Sequence, residues 1–283
     1  MKRREMLLST GAAVLGLSAF PFRWVAAAEK KPRILYFTRS GGFEHSVVHR
    51  KDGQLSHSEQ VFTELGEKHG FEVECSKDGS LFDGNLDKYD CLAFYTSGNL
   101  LGGSKDGGSP MSAEGKQKLL DAIKAGKPFM GFHAATDTFR SGGIDPYIEM
   151  VGGEFTTHGA QQVATMRVVS PGFPNMESLG RSFSLNDEWY AMRKFNPDMH
   201  VLLVQETEGM KGDMYNRVPF PATWARMHGK GRVFYTSMGH REDVWTGEVF
   251  QKVLLGGLAW ALGNANADVA TNFDQVTPDA NTK

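Results

Sequence analysis

The feature that most constrains this chain is a repeated rhythm in its first half, in which short, fully apolar runs are followed by polar, glycine-bearing loops and then by amphipathic stretches. Arg33-Ile34-Leu35-Tyr36-Phe37 opens the series and ends in Thr38-Arg39-Ser40-Gly41-Gly42. A run with no polar alternation reads as a strand buried on both faces, which in practice means a parallel sheet covered by helices. Ser56 with Glu59 forms a capping box ahead of Val61, Phe62 and Leu65, predicting a helix to about Gly70. Phe71 to Cys75 follows as an outer strand and Asp90 to Tyr95 as a third strand. Ser112 then caps a helix carrying Leu119, Leu120 and Ile123, closed by Gly126, and Pro128 to Phe132 is the next strand. This alternation predicts an α/β fold built on a doubly wound, mostly parallel, flavodoxin-like sheet in a single domain. The Gly- and Ser-rich loop from Ser97 to Pro110 has no apolar periodicity and reads as a lid.

Beyond Gly152-Gly153 the rhythm changes. Strands are expected at Val163 to Val169, Val201 to Gln205, Ala222 to Met227 and Arg232 to Tyr235, then one helix from Thr246 to Leu262. Residues 264–283, rich in Asn, Asp, Ala and Thr, read as a disordered tail after a domain spanning 29–263. Residues 1–28 read as an export signal, with Lys2, Arg3 and Arg4 ahead of a short apolar run that ends in Ala26-Ala27-Ala28. The paired arginines point to the twin-arginine route and a periplasmic or secreted product with no stable membrane anchor, because the run is too short to span the bilayer comfortably. With 31 basic against 33 acidic residues there is no basic stripe, which argues against a nucleic-acid partner. Cys75 and Cys91 fall on strands expected to flank the first, two strand spacings apart, so they read as buried thiols.

Two segments carry the chemistry. Gly131-Phe132-His133-Ala134-Ala135-Thr136-Asp137 is a strand running into small residues and an expected helix start, the setting of a nucleophile elbow. Arg232 to Glu242 is a strand that delivers His240, then Glu242, into a loop. A histidine with a carboxylate partner can serve as general acid or base. His45, His133, His158 and His240 all follow or adjoin strand ends and are expected along the carboxyl edge of the sheet, with Asp187 and Glu188 as nearby carboxylates. Imidazole and carboxylate together suit zinc, manganese or iron, so the metal candidates are His45, His133, His158, Glu188 and His240, although no compact His-x-x-x-His spacing accompanies them. His133, His240 and Glu242 are the candidate catalytic residues. His45, Asp137, Glu188, Trp189, Trp224 and Arg226 are the candidate substrate contacts. Tyr190 and Trp245 also lie beside the candidate loops, where aromatic faces can hold sugars.

These segments resemble the ThuA-like, trehalose-utilisation family. The matching stretches are Gly42-Phe43-Glu44-His45, Gly131 to Phe139, Gly152-Gly153-Glu154-Phe155 with His158, Asp187-Glu188-Trp189-Tyr190, and Gly229 to Trp245. The family's first segment usually reads Gly-Phe-Arg-His, so Glu44 is a departure. The resemblance implies the class I glutamine amidotransferase scaffold. His133 stands at the elbow position of the nucleophilic cysteine, and Arg241 replaces the proline of the His-Pro-Glu turn, so thiolate-dependent glutamine hydrolysis is not expected. It also implies a small carbohydrate ligand, particularly a glycoside or a sugar oxidised at C3. Two function classes stay open, a hydrolase, lyase or isomerase working by histidine acid/base chemistry and a non-catalytic carbohydrate-binding or sensing protein.

Overall fold

A computed structural model describes residues 30–282. The expected signal, 1–28, lies outside them. Among the described residues no helix is long and apolar enough to cross a membrane.

The first strand, β1 (Arg33–Phe37), has the two buried faces that its sequence demands: Ile34 and Tyr36 enter one apolar cluster, and Leu35 and Phe37 the other. Helix α1 (His57–His69) begins with the reciprocal Ser56/Glu59 capping box and stops at Gly70, whose φ of 86° no side chain would readily accept. Strands β2 (Glu72–Ser76), β3 (Cys91–Phe94) and β4 (Phe129–Phe132) follow, with α2 (Ala113–Ala125) between the last two. Ser112 caps α2 by accepting the Gly115 amide. A short helix, α3 (Pro146–Val151), precedes β5 (Glu154–His158), β6 (Gln162–Val168), β7 (Ser182–Asp187), β8 (Tyr190–Arg193) and β9 (His200–Gln205). The long strand β10 (Phe220–His228) then turns through Gly229-Lys230 into β11 (Gly231–Thr236).

Nine strands form one sheet in the order β2-β1-β3-β4-β11-β10-β9-β6-β7. From β2 to β11 every pairing is parallel, and from β11 to β7 every pairing is antiparallel. The parallel core is as expected. The change of rhythm after Gly153 marks an antiparallel extension, made possible because the β10–β11 hairpin reverses the chain before β11 joins the parallel half. β5 and β8 pair separately, across the Tyr190–His158 register. Helix α1 shares its apolar cluster with α5 (Glu248–Ala261), and α2 shares the other with α3. Cys75 pairs in register with Tyr36 and Cys91 with Ile34, so β1 separates the two thiols.

Three expectations are corrected. The single helix from Thr246 to Leu262 is two, α4 (Glu242–Thr246) and α5, broken at Gly247, whose extended backbone (φ −74°, ψ 137°) is both the C-cap of one and the N-cap of the other. The tail is not disordered: α6 (Phe273–Val276) buries Phe273, and Ala280 is fully buried. Asn272 and Asn281 exchange hydrogen bonds with the backbones of Val201 and Phe195. The lid is also corrected, because the Ser97 to Pro110 loop is clasped by Arg39. That buried guanidinium donates to the carbonyls of Lys77, Gly102, Gly107 and Gly108.

Candidate functional site

Three loops leave the carboxyl edge of the parallel half, after β1, β4 and β11, and deliver three imidazoles to one point. His45 comes from the loop after β1, His133 directly follows β4, and His240 lies four residues beyond β11. The fourth contribution crosses from the antiparallel half, where Glu188 sits in the two-residue link between β7 and β8. One ligand atom from each of His45, His133, Glu188 and His240 lies within 4.8 Å of every other.

His133 is held in a left-handed backbone conformation (φ 39°), which a non-glycine residue adopts only where its surroundings impose it. Tyr235 Oη donates to its carbonyl at 2.7 Å, and Thr136 hydrogen-bonds the same phenol. Its Nδ1 is 2.8 Å from the Ser237 carbonyl oxygen. A carbonyl can only accept, so Nδ1 carries a proton and Nε2 is the ring atom that faces inward. That atom is buried, has no hydrogen-bond partner among the described residues and lies 3.5 Å from Glu188 Oε2. His240 Nδ1 is likewise buried without a hydrogen bond and lies 3.1 Å from the same oxygen. The His45 ring stands 5.1 and 5.2 Å from those of His133 and His240, with its Nε2 3.2 Å from Tyr190 Oη.

The electrostatics follow from this crowding. Burial, reinforced by the charges of His133 and His240, drives the His45 pKa down to about 2, so its ring is neutral at ordinary pH. Burial pushes the Glu188 carboxyl up, but the facing rings of His133 and His240 outweigh it and hold Glu188 well below the usual carboxylate range. Asp187 is fully buried behind the cluster. It accepts the amides of Gly239 at 2.7 Å and Glu188 at 3.0 Å, tying the two halves of the site together. Burial raises its pKa against the opposing influence of His133.

The cluster opens into a cleft of about 740 Å³, in the size range of small-molecule sites. His45, His158 and Glu188 line it together with Phe43, Asn99, Asp137, Arg140, Tyr190 and Arg193. Asp137, paired with Arg140, is nearly buried, and that burial raises its pKa despite the guanidinium.

The four expected histidines therefore gather with Glu188. His158 stands at the margin, its Nδ1 3.1 Å from Glu188 Oε1 and 2.9 Å from the Gly159 carbonyl, outside the four-atom cluster. Asp137 lines the cleft, but the helix expected to start there is a single 3-10 turn, His133–Asp137. Glu242 is corrected: it opens α4, and the carboxylate facing His240 is Glu188. Trp189 and Trp224 are corrected too. Both are fully buried, donating to the carbonyls of Gln162 and Val151, as Trp245 does to Gly239. Arg226 binds the carbonyls of Glu149 and Met150 beneath α3 and makes no contact with the cleft. Sequence reasoning missed Phe43, Asn99, Arg140 and Arg193 as cleft residues. Only Phe43 carried a signal, as an aromatic between Gly42 and a charged residue in a strand-end loop.

The sequence profile of the ThuA family, described as trehalose utilisation, matches residues 33–261. No curated protein matches. Among solved structures, a ThuA-like protein from Bacteroides uniformis ATCC 8492 has a TM-score of 0.65 at 21% identity, over 84% of this chain and 95% of that one. A second, from Parabacteroides merdae ATCC 43184, has a TM-score of 0.65 at 18% identity, over 86% of this chain and 95% of that one. At these identities the likeness establishes a shared fold.

Proposed function

The chain belongs to the ThuA, trehalose-utilisation, family, and from that premise we propose that it is a metal-assisted enzyme acting on a glycoside or a sugar oxidised at C3. The divalent ion would be held by His45, His133, His240 and Glu188. The observation that carries this reading is the convergence of His133 Nε2 and His240 Nδ1, both buried without a hydrogen bond among the described residues, on Glu188 Oε2 at 3.5 and 3.1 Å. A proton could relieve one ring at a time, whereas a metal ion satisfies three imidazoles and the carboxylate at once. Three nitrogen donors with one oxygen and no sulfur suit zinc, manganese or iron.

Such an ion supplies Lewis acidity toward a substrate carbonyl or hydroxyl. The protein residues divide the remaining work. With His133 and His240 as ligands, the acid/base role expected of them falls to the protic groups lining the cleft, Asp137 and His158. Asp137 is protonated more readily than an ordinary aspartate and lies where a sugar hydroxyl or leaving group would sit. His158 Nδ1 faces two acceptors, Glu188 Oε1 and the Gly159 carbonyl, which places a proton there. In a sugar carrying a C3 carbonyl, the C2 proton is acidic and removal of the C1 substituent needs one base and one acid. Export by the twin-arginine route, read from Arg3-Arg4 and Ala26 to Ala28, belongs to the same proposal.

The test is elemental analysis of protein purified without chelator, with turnover measured on 3-keto glycosides before and after chelation. About one equivalent of metal is expected, with activity lost on removal and restored by the ion. Glu188→Gln and His133→Ala should each lose the metal while staying folded. Metal-free protein with full turnover, or sugar binding with no turnover in the metal-loaded form, would refute the enzyme reading; the latter would make it a sugar-binding protein.

A further inference from the structure

Among the described residues, Phe43 is the sole aromatic side chain among the large exposed apolar ones, with 67% of its surface open to solvent. It lines the cleft beside the histidine cluster, its ring edge-on to His45 at 4.9 Å. Leaving so large an apolar face in water has a cost that folding does not recover, since none of the described residues covers it.

Its position is fixed. Ser97 Oγ donates to the Phe43 carbonyl at 2.6 Å, and the backbones of Gly42 and Gly98 are pressed together. A side chain at Gly98 would meet the Gly42 nitrogen at 2.4 Å, and the φ of Gly98 is 68°. The backbone that presents the ring is therefore anchored on both sides of it.

The rest of the cleft is polar. Asn99 uses its side-chain oxygen on the Leu101 amide, leaving its amide group for another partner. Asp137, Arg140 and Arg193 add paired donors and acceptors, with Arg193 fixed by Glu154. One apolar face among hydroxyl-binding groups matches a molecule that is itself two-sided. A pyranose ring has a patch of C–H bonds on one face and hydroxyls around its edge.

We propose that Phe43 is the platform of a pyranose subsite, on which the C–H face of one sugar ring stacks while Asn99, Asp137, Arg140 and Arg193 take its hydroxyls. The inference rests on the carbohydrate reading above and adds where the ring sits. Because His45 lies directly against Phe43, the stacked ring is the one that reaches the histidine cluster, and the remainder of a glycoside extends along the cleft.

Saturation-transfer NMR and calorimetry with methyl α- and β-glucopyranoside, using an open-chain hexitol as control, test it on the full-length mature protein. The wild-type protein is expected to bind a pyranoside and not the hexitol, with saturation concentrated on the C–H protons of one ring face. Phe43→Ala should weaken binding about tenfold, the equivalent of 1.4 kcal/mol, while Phe43→Trp retains it. Phe43→Leu preserves apolar bulk without the flat ring and should also weaken binding, and it decides the matter if the alanine variant does not fold. Unchanged pyranoside affinity in folded Phe43→Ala or Phe43→Leu overturns the platform and leaves the carbohydrate reading standing. Hexitol binding equal to that of the pyranosides also overturns it. If the wild-type protein binds no pyranoside, both readings fall.

Discussion

His133 keeps a strained, left-handed backbone where β4 ends and its loop begins. The strain is retained because the φ of 39° aims Nδ1 at the Ser237 carbonyl and so fixes which nitrogen faces the cleft. Tyr190 orients its neighbour His45 in a similar way, through its hydroxyl, and packs its ring 4.0 Å from that of His133. Outer partners of this kind typically change metal affinity 10- to 100-fold. Tyr190→Phe is therefore expected to lower metal affinity by about that factor with little change in the melting temperature of the metal-free protein, as measured by chelator competition. Unaltered affinity would remove Tyr190 from the site. The histidines were legible because each adjoins a strand end, and a parallel sheet sends those ends to one edge. The tryptophans and Arg226 were misread because sequence adjacency to a loop does not reveal which face a side chain takes. Trp189 follows Glu188 directly, yet it points into the core while Glu188 points into the site.

The elements divide in the same manner. Capping signals at Ser56, Gly70, Ser112 and Gly126 marked two helices correctly because those caps are local chemistry. The Ser97 to Pro110 loop and the tail were misread for the opposite reason, since their partners are distant in sequence. Arg39 is 63 to 69 residues from the glycine carbonyls that it clasps. Removing a guanidinium from four buried or half-buried carbonyls leaves acceptors unsatisfied at roughly 1–3 kcal/mol each, only some of which water can reach. Arg39→Ala is expected to destabilise the fold by about 3 kcal/mol in denaturant titration, and to open new protease sites between residues 99 and 109. Arg39→Lys should rescue little, because a point charge cannot reproduce the planar fork. A variant with wild-type stability and the same digestion pattern would show the loop to be held by other means. The loop carries Asn99 into the cleft, so the clasp also reaches the cleft lining.

At the scale of the whole molecule, the site is a seam. The parallel half supplies His45, His133 and His240, the antiparallel half supplies Glu188, His158 and Tyr190, and Asp187 bonds across the join to the Gly239 amide. The sequence marked the seam only as a change of rhythm after Gly153, since a hairpin that reverses strand direction looks the same whichever sheet receives it. Acid should weaken the metal-free protein through two groups at this seam, and the sign is the same for both. The folded-state pKa of His45 lies near 2 against an ordinary 6.5, so between those values the unfolded chain binds a proton that the folded chain does not. The stability this contributes is complete above about pH 6.5 and is lost progressively as the pH falls below it. The Glu188 pKa is likewise depressed, so its contribution is present above the ordinary carboxylate range, about 4.3, and disappears as the pH falls through the folded value. In the presence of chelator, the melting temperature is accordingly expected to fall as the pH is lowered from 7 to 4. His45→Gln should flatten the part of that slope between about pH 6.5 and 5, where no ordinary carboxylate titrates, and Glu188→Gln should act only at the acid end. A metal held by these residues, as proposed, would bind the folded state and compete with protons for the same rings. Adding it should therefore raise the melting temperature more at pH 7 than at pH 5, by an amount that grows with the logarithm of its free concentration. A slope unchanged in His45→Gln would mean that this ring titrates normally in the folded protein, and the crowded, cation-seeking cluster at the seam would then be wrong.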